Sequence, residues 1–383
     1  MIAVISDDFT GAAEIGGIGL RNGFSVTIDT AVNANYNCDI LVIATNTRSL
    51  SKTEAQKQIK KVTKELLKLR PEFIYKKTDS LLRGKVGDEL QAQMEVSGKR
   101  KVLLVPANPL LNRIIVEGVY YINGIPLMES DFYGDDFAKG ATSNVLDMIG
   151  DDYKDRSVSI SLGQQMPDEG FIIGNILTNE DLMAWANLID DTMLPAGGAS
   201  FFNAILRKIA TDRKKTVSSL AFGKKALYLC GSNYQPSREV VRKAKENGAC
   251  VSYMPKTIFC DNDYEKMIQK WSDEIIKIIQ KKDKVVIAID ELECEGVEDV
   301  SNKINDIFGV LIKKVLEKVT LEELLIEGGA TAYSIIEHLG YKKFYPEQEL
   351  SQGVIRMEIE QTSKMHLTLK PGSYQWTETI WKF

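Results

Sequence analysis

Short apolar runs separated by amphipathic stretches recur along this whole chain, and that alternation restricts the fold more than any other feature. In the first half the runs lie at 2–6, 25–28, 39–44, 73–75, 101–105 and 171–174. Helical periodicity fills 12–21, 51–69 and 85–95 between them. Strands that are apolar throughout, rather than alternating, are buried on both faces, which points to a parallel sheet covered by helices. Residues 113–136 break the rhythm: Asn123-Gly124 followed by Pro126, among Gly, Tyr and Asp, reads as turns or a loop. A polar, basic connection lies within 208–225. Beyond it come strands at 226–230, 250–253, 284–290 and 323–326, with helices at 235–246, 263–281, 299–318 and 330–339. A strand-rich tail covers 343–370. The expected class is α/β in two domains, 1–215 and 222–383, each a largely parallel sheet flanked by helices, with a cleft between them.

A chain of 383 residues exceeds one ordinary core, which also argues for two domains. The net charge is −5 with the two signs interleaved, so neither nucleic acid nor a membrane surface is an expected partner. No stretch approaches the ~20 apolar residues of a membrane span, and the first residues do not read as a signal peptide. Five scattered cysteines without a C-x-x-C pair read as reduced thiols in a cytoplasmic protein. The two histidines, His338 and His366, are far apart in sequence, which disfavours a histidine metal site or a Ser-His-Asp triad. Acid–base work falls to Asp, Glu or Lys, and no metal-ligand set is expected.

Ligands of open parallel sheets bind beyond the carboxyl ends of the strands. The segments there are 6–11 (with Asp7 and Asp8), 45–49 (with Arg48), 76–84 (with Lys77, Thr78, Asp79, Ser80 and Arg83) and 106–109, with Arg113 just beyond. Acids, cations and hydroxyls on four successive strand ends suit a small anionic ligand bearing several hydroxyls. Arginine can clamp a carboxylate in bidentate fashion, and aspartates can accept from hydroxyls. Each segment alone also has a plain reading, as helix cap or solvated loop charge. The second half puts glycines at its strand ends instead: Gly231-Ser232, Gly328-Gly329-Ala330-Thr331 and Gly372. Backbone N–H groups in such turns, and helix N-termini, favour phosphate oxygens. No G-x-x-x-x-G-K-[ST] occurs, and the glycines at 16, 17 and 19 lie inside a helix, where packing explains them better than a dinucleotide fingerprint.

S-D-D-F-T-G-A-A-E at 6–14, K-x-D-S-x-x-R-G at 77–84 and the segment from Pro106 to Leu127 resemble the four-carbon acid sugar kinases. The glycines at 231, 328, 329 and 372 follow in the same order over nearly the whole chain. The chain departs from the common pattern at Asn108, at 111–114, at Tyr120, at 353–355 and at 370–375. The resemblance implies transfer of the ATP γ-phosphoryl to a hydroxyl of a threonate- or erythronate-like acid, or of its 3-oxo derivative. It places the acid on the first domain and ATP, with Mg²⁺, on the second. Asp7, Asp8 and Asp79 would supply the base or orienter. Arg48, Lys77, Thr78, Ser80, Arg83 and Arg113 would hold the acid; Ser232, Gly328, Gly329, Ala330, Thr331 and Gly372 would hold the nucleotide. A homodimer is admitted but not required. Two other readings stand beside it: an NAD-dependent oxidoreductase of small hydroxy acids, and a non-catalytic sugar-acid-binding protein.

Overall fold

The computed structural model describes every residue except 131–141, 211, 212, 214–220, 232–234, 260–263, 291, 293–296, 298, 373 and the side chain of residue 363. The chain divides into two compact units, Met1–Thr216 and Val217–Phe383. Among the described residues no helix is long and apolar enough to cross a membrane.

The first unit runs β1 (Ile2–Ser6), α1 (Phe9–Arg21), β2 (Val26–Asp29), β3 (Ile40–Ala44), α2 (Lys52–Lys68), β4 (Ile74–Lys77), α3 (Val86–Ser97) and β5 (Lys101–Val105). A small antiparallel sheet follows, β6 (Arg113–Val116), β7 (Val119–Ile122) and β8 (Ile125–Pro126). Then come α4 (Val145–Met148), α5 (Asp151–Lys154), β9 (Ser157–Ile160), β10 (Gly170–Gly174), α6 (Asn179–Asn187), β11 (Met193–Gly197) and α7 (Ala199–Ile209). The main sheet has the order β2-β3-β1-β4-β11-β5-β10-β9 and is parallel throughout. Its central strands are buried along their whole length, as their unbroken apolar runs require. Helix α1 begins at Phe9 because Asp8 caps it, accepting from Gly11 N. A Cβ on Gly19 would stand 2.4 Å from Val26 Cγ2, so the α1 glycines include one that lets the helix lie close to β2.

The second unit runs β12 (Ala226–Cys230), α8 (Gln235–Glu246), β13 (Val251–Tyr253), α9 (Tyr264–Lys282), β14 (Lys284–Ala288), α10 (Val300–Leu316), β15 (Glu323–Glu327) and α11 (Gly329–Leu339). It ends with β16 (Lys343–Ser351), β17 (Val354–Ile359) and β18 (Thr362–Lys370). The order is β13-β14-β12-β15-β18-β17-β16, parallel as far as β18 and antiparallel after it. The segment after β18 folds back on the core: Trp376 and Ile380 are buried, and the Tyr228 hydroxyl donates to the Ile380 carbonyl at 2.6 Å.

Three sequence expectations need correction. The fourth strand ends at Lys77 rather than residue 75, so Lys76 and Lys77 are buried strand residues. Residues 113–126 are not loop but the three antiparallel strands β6 to β8. Glu117-Gly118 (φ 47° and 78°) and Asn123-Gly124 (φ 51° and 80°) have the left-handed conformation of two-residue hairpin turns. The rest of that expected loop, 131–136, lies outside the described residues. Two strands were also passed over, β9 and β11. The second contains Pro195, which argues against a central strand. It is tolerated because pairing with β4 involves only Ala196 and Gly197.

Candidate active site

The register of the first sheet sets the candidate side chains side by side. Ser6 pairs with Lys77 across β1 and β4, so Asp7 and Thr78 are the next residues on adjacent strand ends. Gly197 pairs with Lys77 on one side and Val105 on the other, and its carbonyl accepts from Thr78 N at 2.9 Å. The segment after β3 adds Arg48, whose N–H donates to the Asp7 carbonyl at 3.4 Å.

Arg48 ties the three acids together. Its Nε donates to Asp7 Oδ2 at 2.9 Å, and its Nη2 lies 2.8 Å from the same oxygen. Its Nη1 lies 3.3 Å from Asp8 Oδ2 and 3.4 Å from Asp79 Oδ2. Arg83 adds a bidentate pair on Asp79, with Nε at 3.0 Å and Nη2 at 2.8 Å. Lys77 Nζ donates to the Thr78 carbonyl at 2.9 Å and stands 3.9 Å from Glu14 Oε2. A Cβ at Gly11 would meet Asp8 Oδ1 at 2.5 Å and Lys77 Nζ at 3.2 Å, so glycine is required where helix, acid and ammonium converge. Arg113 Nη1 donates to Ser80 Oγ at 2.8 Å, and the Tyr120 hydroxyl donates to the Ser80 carbonyl at 2.6 Å.

These pairings differentiate the acids. Burial alone would raise the Asp8 carboxyl, but Arg48, Lys77 and the Thr10 hydroxyl outweigh it and hold it below the usual carboxylate value. Burial likewise opposes ionisation of Asp79, and Arg48 and Arg83 drive it far below that value. Burial would lower Arg48, yet Asp7, Asp8 and Asp79 raise it well above normal. Both oxygens of Asp8 are engaged, by Gly11 N and the Thr10 hydroxyl, and both of Asp79 by Arg83 and loop N–H groups. Asp7 is different: its buried Oδ1 has no hydrogen-bond partner among the described residues. A carboxylate with one unengaged oxygen can still accept a proton or a hydroxyl.

In the second unit, Gly328 (φ 95°) follows β15 and Gly329 opens α11, with no side chain capping the helix. Uncapped N–H groups over Gly329, Ala330 and Thr331 suit an anion. Thr331 Oγ1 donates to Asn305 Oδ1 at 2.8 Å. A Cβ at Gly372 would meet nothing within 4 Å. Lys370, beside it, is buried; Nζ donates to the Pro371 and Tyr374 carbonyls at 3.1 and 2.6 Å and lies 3.3 Å from Glu327 Oε2. Burial pulls this ammonium below its ordinary pKa, against the opposing charge of Glu327. Ser237 Oγ donates to the other Glu327 oxygen. Ser232 lies outside the described residues.

Sequence reading passed over Glu14 and the Gly197-Gly198 pair, and took Asn108 only as part of the 106–109 strand end and as a departure from the family pattern. Glu14 was legible only as part of the first motif. The glycine pair went unnoticed because its strand did.

Among the described residues no group of three or more His, Cys, Asp and Glu side chains is arranged to hold a metal ion. The Arg48 guanidinium already stands among the three aspartates.

Fold and rim together define an α/β protein of two units, one with a charged strand-end rim and one with glycine-rich turns. Residues 2–205 match a family model described as a sugar-binding N-terminal domain, and residues 227–374 match one described as a nucleotide-binding C-terminal domain. The chain belongs to this family. It is 22% identical to a D-threonate kinase of Salmonella typhimurium, over 91% of this chain and 88% of that one. It is 21% identical to a 3-oxo-tetronate kinase of Haemophilus influenzae, over 98% and 97%. The crystal structure of a Haemophilus influenzae protein superimposes with a TM-score of 0.72 at 20% identity, covering 97% of each chain, and establishes the shared fold.

Proposed function

We propose that this protein is an ATP-dependent kinase that phosphorylates a hydroxyl of a four-carbon acid sugar, such as threonate, erythronate or a 3-oxo derivative. The first unit takes the acid and the second takes the nucleotide. The carrying observation is Asp7: a buried carboxylate with one oxygen unengaged, on a strand end beside Thr78 and close to cationic side chains. The family membership and the names of the relatives support the same reading.

Phosphoryl transfer asks a protein mainly for positioning and charge neutralisation. Lys77 and Arg113 draw in the acid's carboxylate. Asp8 and Asp79 fix Arg48, and Arg48 fixes Asp7. Asp7 Oδ1 receives the proton of the attacking hydroxyl as its oxygen bonds to phosphorus and ADP departs. The open α11 terminus and the turns at Gly328 and Gly372 receive the phosphates, with Thr331 at the same helix start. A Mg²⁺ ion arriving with ATP would supply charge neutralisation at the phosphates; Glu327 and the three aspartates already have cationic or hydroxyl partners and would not be its main ligands. ATP as donor and the unbridged Cys38, Cys230 and Cys250 fit a cytoplasmic enzyme.

The test is a coupled ADP-release screen over short aldonic acids and their oxo forms. Acid-dependent ADP formation is expected, falling about 10²- to 10⁴-fold in Asp7→Asn while the circular dichroism spectrum stays unchanged. No ADP release above background with any acid, while calorimetry still shows an acid binding, would leave a non-catalytic binder. Near-normal turnover in Asp7→Asn would remove that carboxylate from the chemistry.

A further inference from the structure

Three buried oxygen atoms on the first unit's rim lack a hydrogen-bond partner among the described residues: Asp7 Oδ1, Thr78 Oγ1 and Asn108 Oδ1. Their residues are 4%, 2% and 6% exposed. Such groups cost stability when left unmade, so a partner supplied by a ligand is the economical explanation. Their placement joins them. Asp7 and Thr78 follow the paired residues Ser6 and Lys77 on neighbouring strands. Asn108 follows β5, which is joined to β4 through β11, and Gly198 N donates to Val105 O at 3.0 Å. Asn108 also bridges to Arg113, with Asn108 N donating to Arg113 O at 3.0 Å. Arg113 in turn reaches Ser80, two residues beyond Thr78.

The side-chain amide of Asn108 makes no hydrogen bond with the described residues, although its backbone is fully engaged in the turn that leads to β6. A leucine would fill a similar buried volume without that cost. The three atoms share one capacity: each can accept a hydrogen bond, the ionised carboxylate only that, while the Thr78 hydroxyl and the Asn108 amide can donate as well. Their complement is a run of hydroxyl groups, which donate and accept alike.

Resting on the kinase reading, we infer that Asn108 reads one hydroxyl of a vicinal polyhydroxy acid and so sets which acid is preferred. Asp7 engages the hydroxyl that attacks; Thr78 and Asn108 engage those beside it. Lys77, the last residue of β4, and Arg113, the first of β6, supply positive charge for the carboxylate end of such a ligand.

The experiment compares kcat/KM for threonate and erythronate, their monodeoxy acids and the 3-oxo acid, in wild type and in Asn108→Leu. Wild type is expected to favour a hydroxy acid over at least one deoxy acid by about ten- to hundredfold. Asn108→Leu should lower kcat/KM for the hydroxy acid by about tenfold or more and leave that deoxy acid little changed, so the preference collapses. Asn108→Ser, which keeps a neutral hydrogen-bonding oxygen in a smaller side chain, should retain part of the preference and covers the case in which the leucine variant misfolds. An equal fall on every acid, or a wild type that treats every deoxy acid like its parent, overturns the inference while leaving the kinase standing. Absence of phosphorylation on any acid overturns the kinase reading instead, and calorimetry of the acids on wild type and Asn108→Leu then reads the hydroxyl preference without turnover.

Discussion

Two turns in this chain have nearly the same sequence, Gly197-Gly198-Ala199-Ser200 and Gly328-Gly329-Ala330-Thr331. Each follows a buried strand and opens an 11-residue helix that no side chain caps. Their surroundings differ. A Cβ on Gly197 would stand 2.0 Å from the Val105 carbonyl oxygen, and one on Gly198 2.7 Å from that of Pro106. A Cβ on Gly328 would meet only Thr331 Oγ1, at 3.8 Å. The first pair exists so that β11 and β5 can lie close; the second leaves its helix terminus open. Glycines at a strand end are therefore not a phosphate site in themselves. The space around them decides, and sequence does not display it. The two rims differ in the same sense: the first is organised by compensated charge, the second by backbone geometry.

The largest effect belongs to the charged rim. Arg48→Met leaves Asp7, Asp8 and Asp79 without their shared partner, and losing one member of a buried pair costs about 3–5 kcal/mol. The lower end applies, since a quarter of the Arg48 side chain is reached by water. Calorimetric unfolding should show the first unit melting earlier, with nucleotide affinity unchanged; a loss below about 1 kcal/mol, the range of a surface pair, would mean that the rim is not held by charge. Next come the glycines. Gly197→Ala should lower the melting temperature through a backbone clash and leave nucleotide binding alone. Gly328→Ala should cost about 1–3 kcal/mol from its positive φ, with loss of ATP affinity as the dominant result in titration calorimetry. The distinction between the turns disappears if both variants behave alike.

The smallest effect is the pH dependence. Asp8 and Asp79 lie below their ordinary 3.8 in the folded chain. The unfolded chain binds their protons first as pH falls, so their stabilisation is complete above about pH 5 and is lost progressively below about pH 4. Melting temperatures of wild type and Asp79→Asn over that interval should converge as the solution is acidified. Parallel curves would show that Asp79 gains nothing from its arginines.

The buried strands with unbroken apolar runs, β1, β3, β5 and β12, were legible because burial on both faces leaves no room for polar residues. The rim residues were legible because parallel strands deliver their carboxyl ends to one side. What escaped had physical reasons. Pro195 disguised β11, since only the ladder shows that its missing N–H faces no partner. The turn at Asn123-Gly124 was legible, but the strands on either side of it and of Glu117-Gly118 were not, because the same dipeptides serve hairpins and plain loops. Arg48 was expected to await a ligand; whether a guanidinium is already claimed by Asp7, Asp8 and Asp79 depends on distances that spacing cannot supply.

The position of β11 has a consequence for how the chain is made. β4 and β5 are successive strands, yet each pairs with β11 and not with the other. As the polypeptide leaves the ribosome, the middle of this sheet must wait with two raw edges until residues 193–197 arrive, more than eighty positions after β5 ends. Newborn chains stopped short of that point expose the strand borders that foster aggregation, and completion of the first unit is a late insertion rather than steady growth from one end.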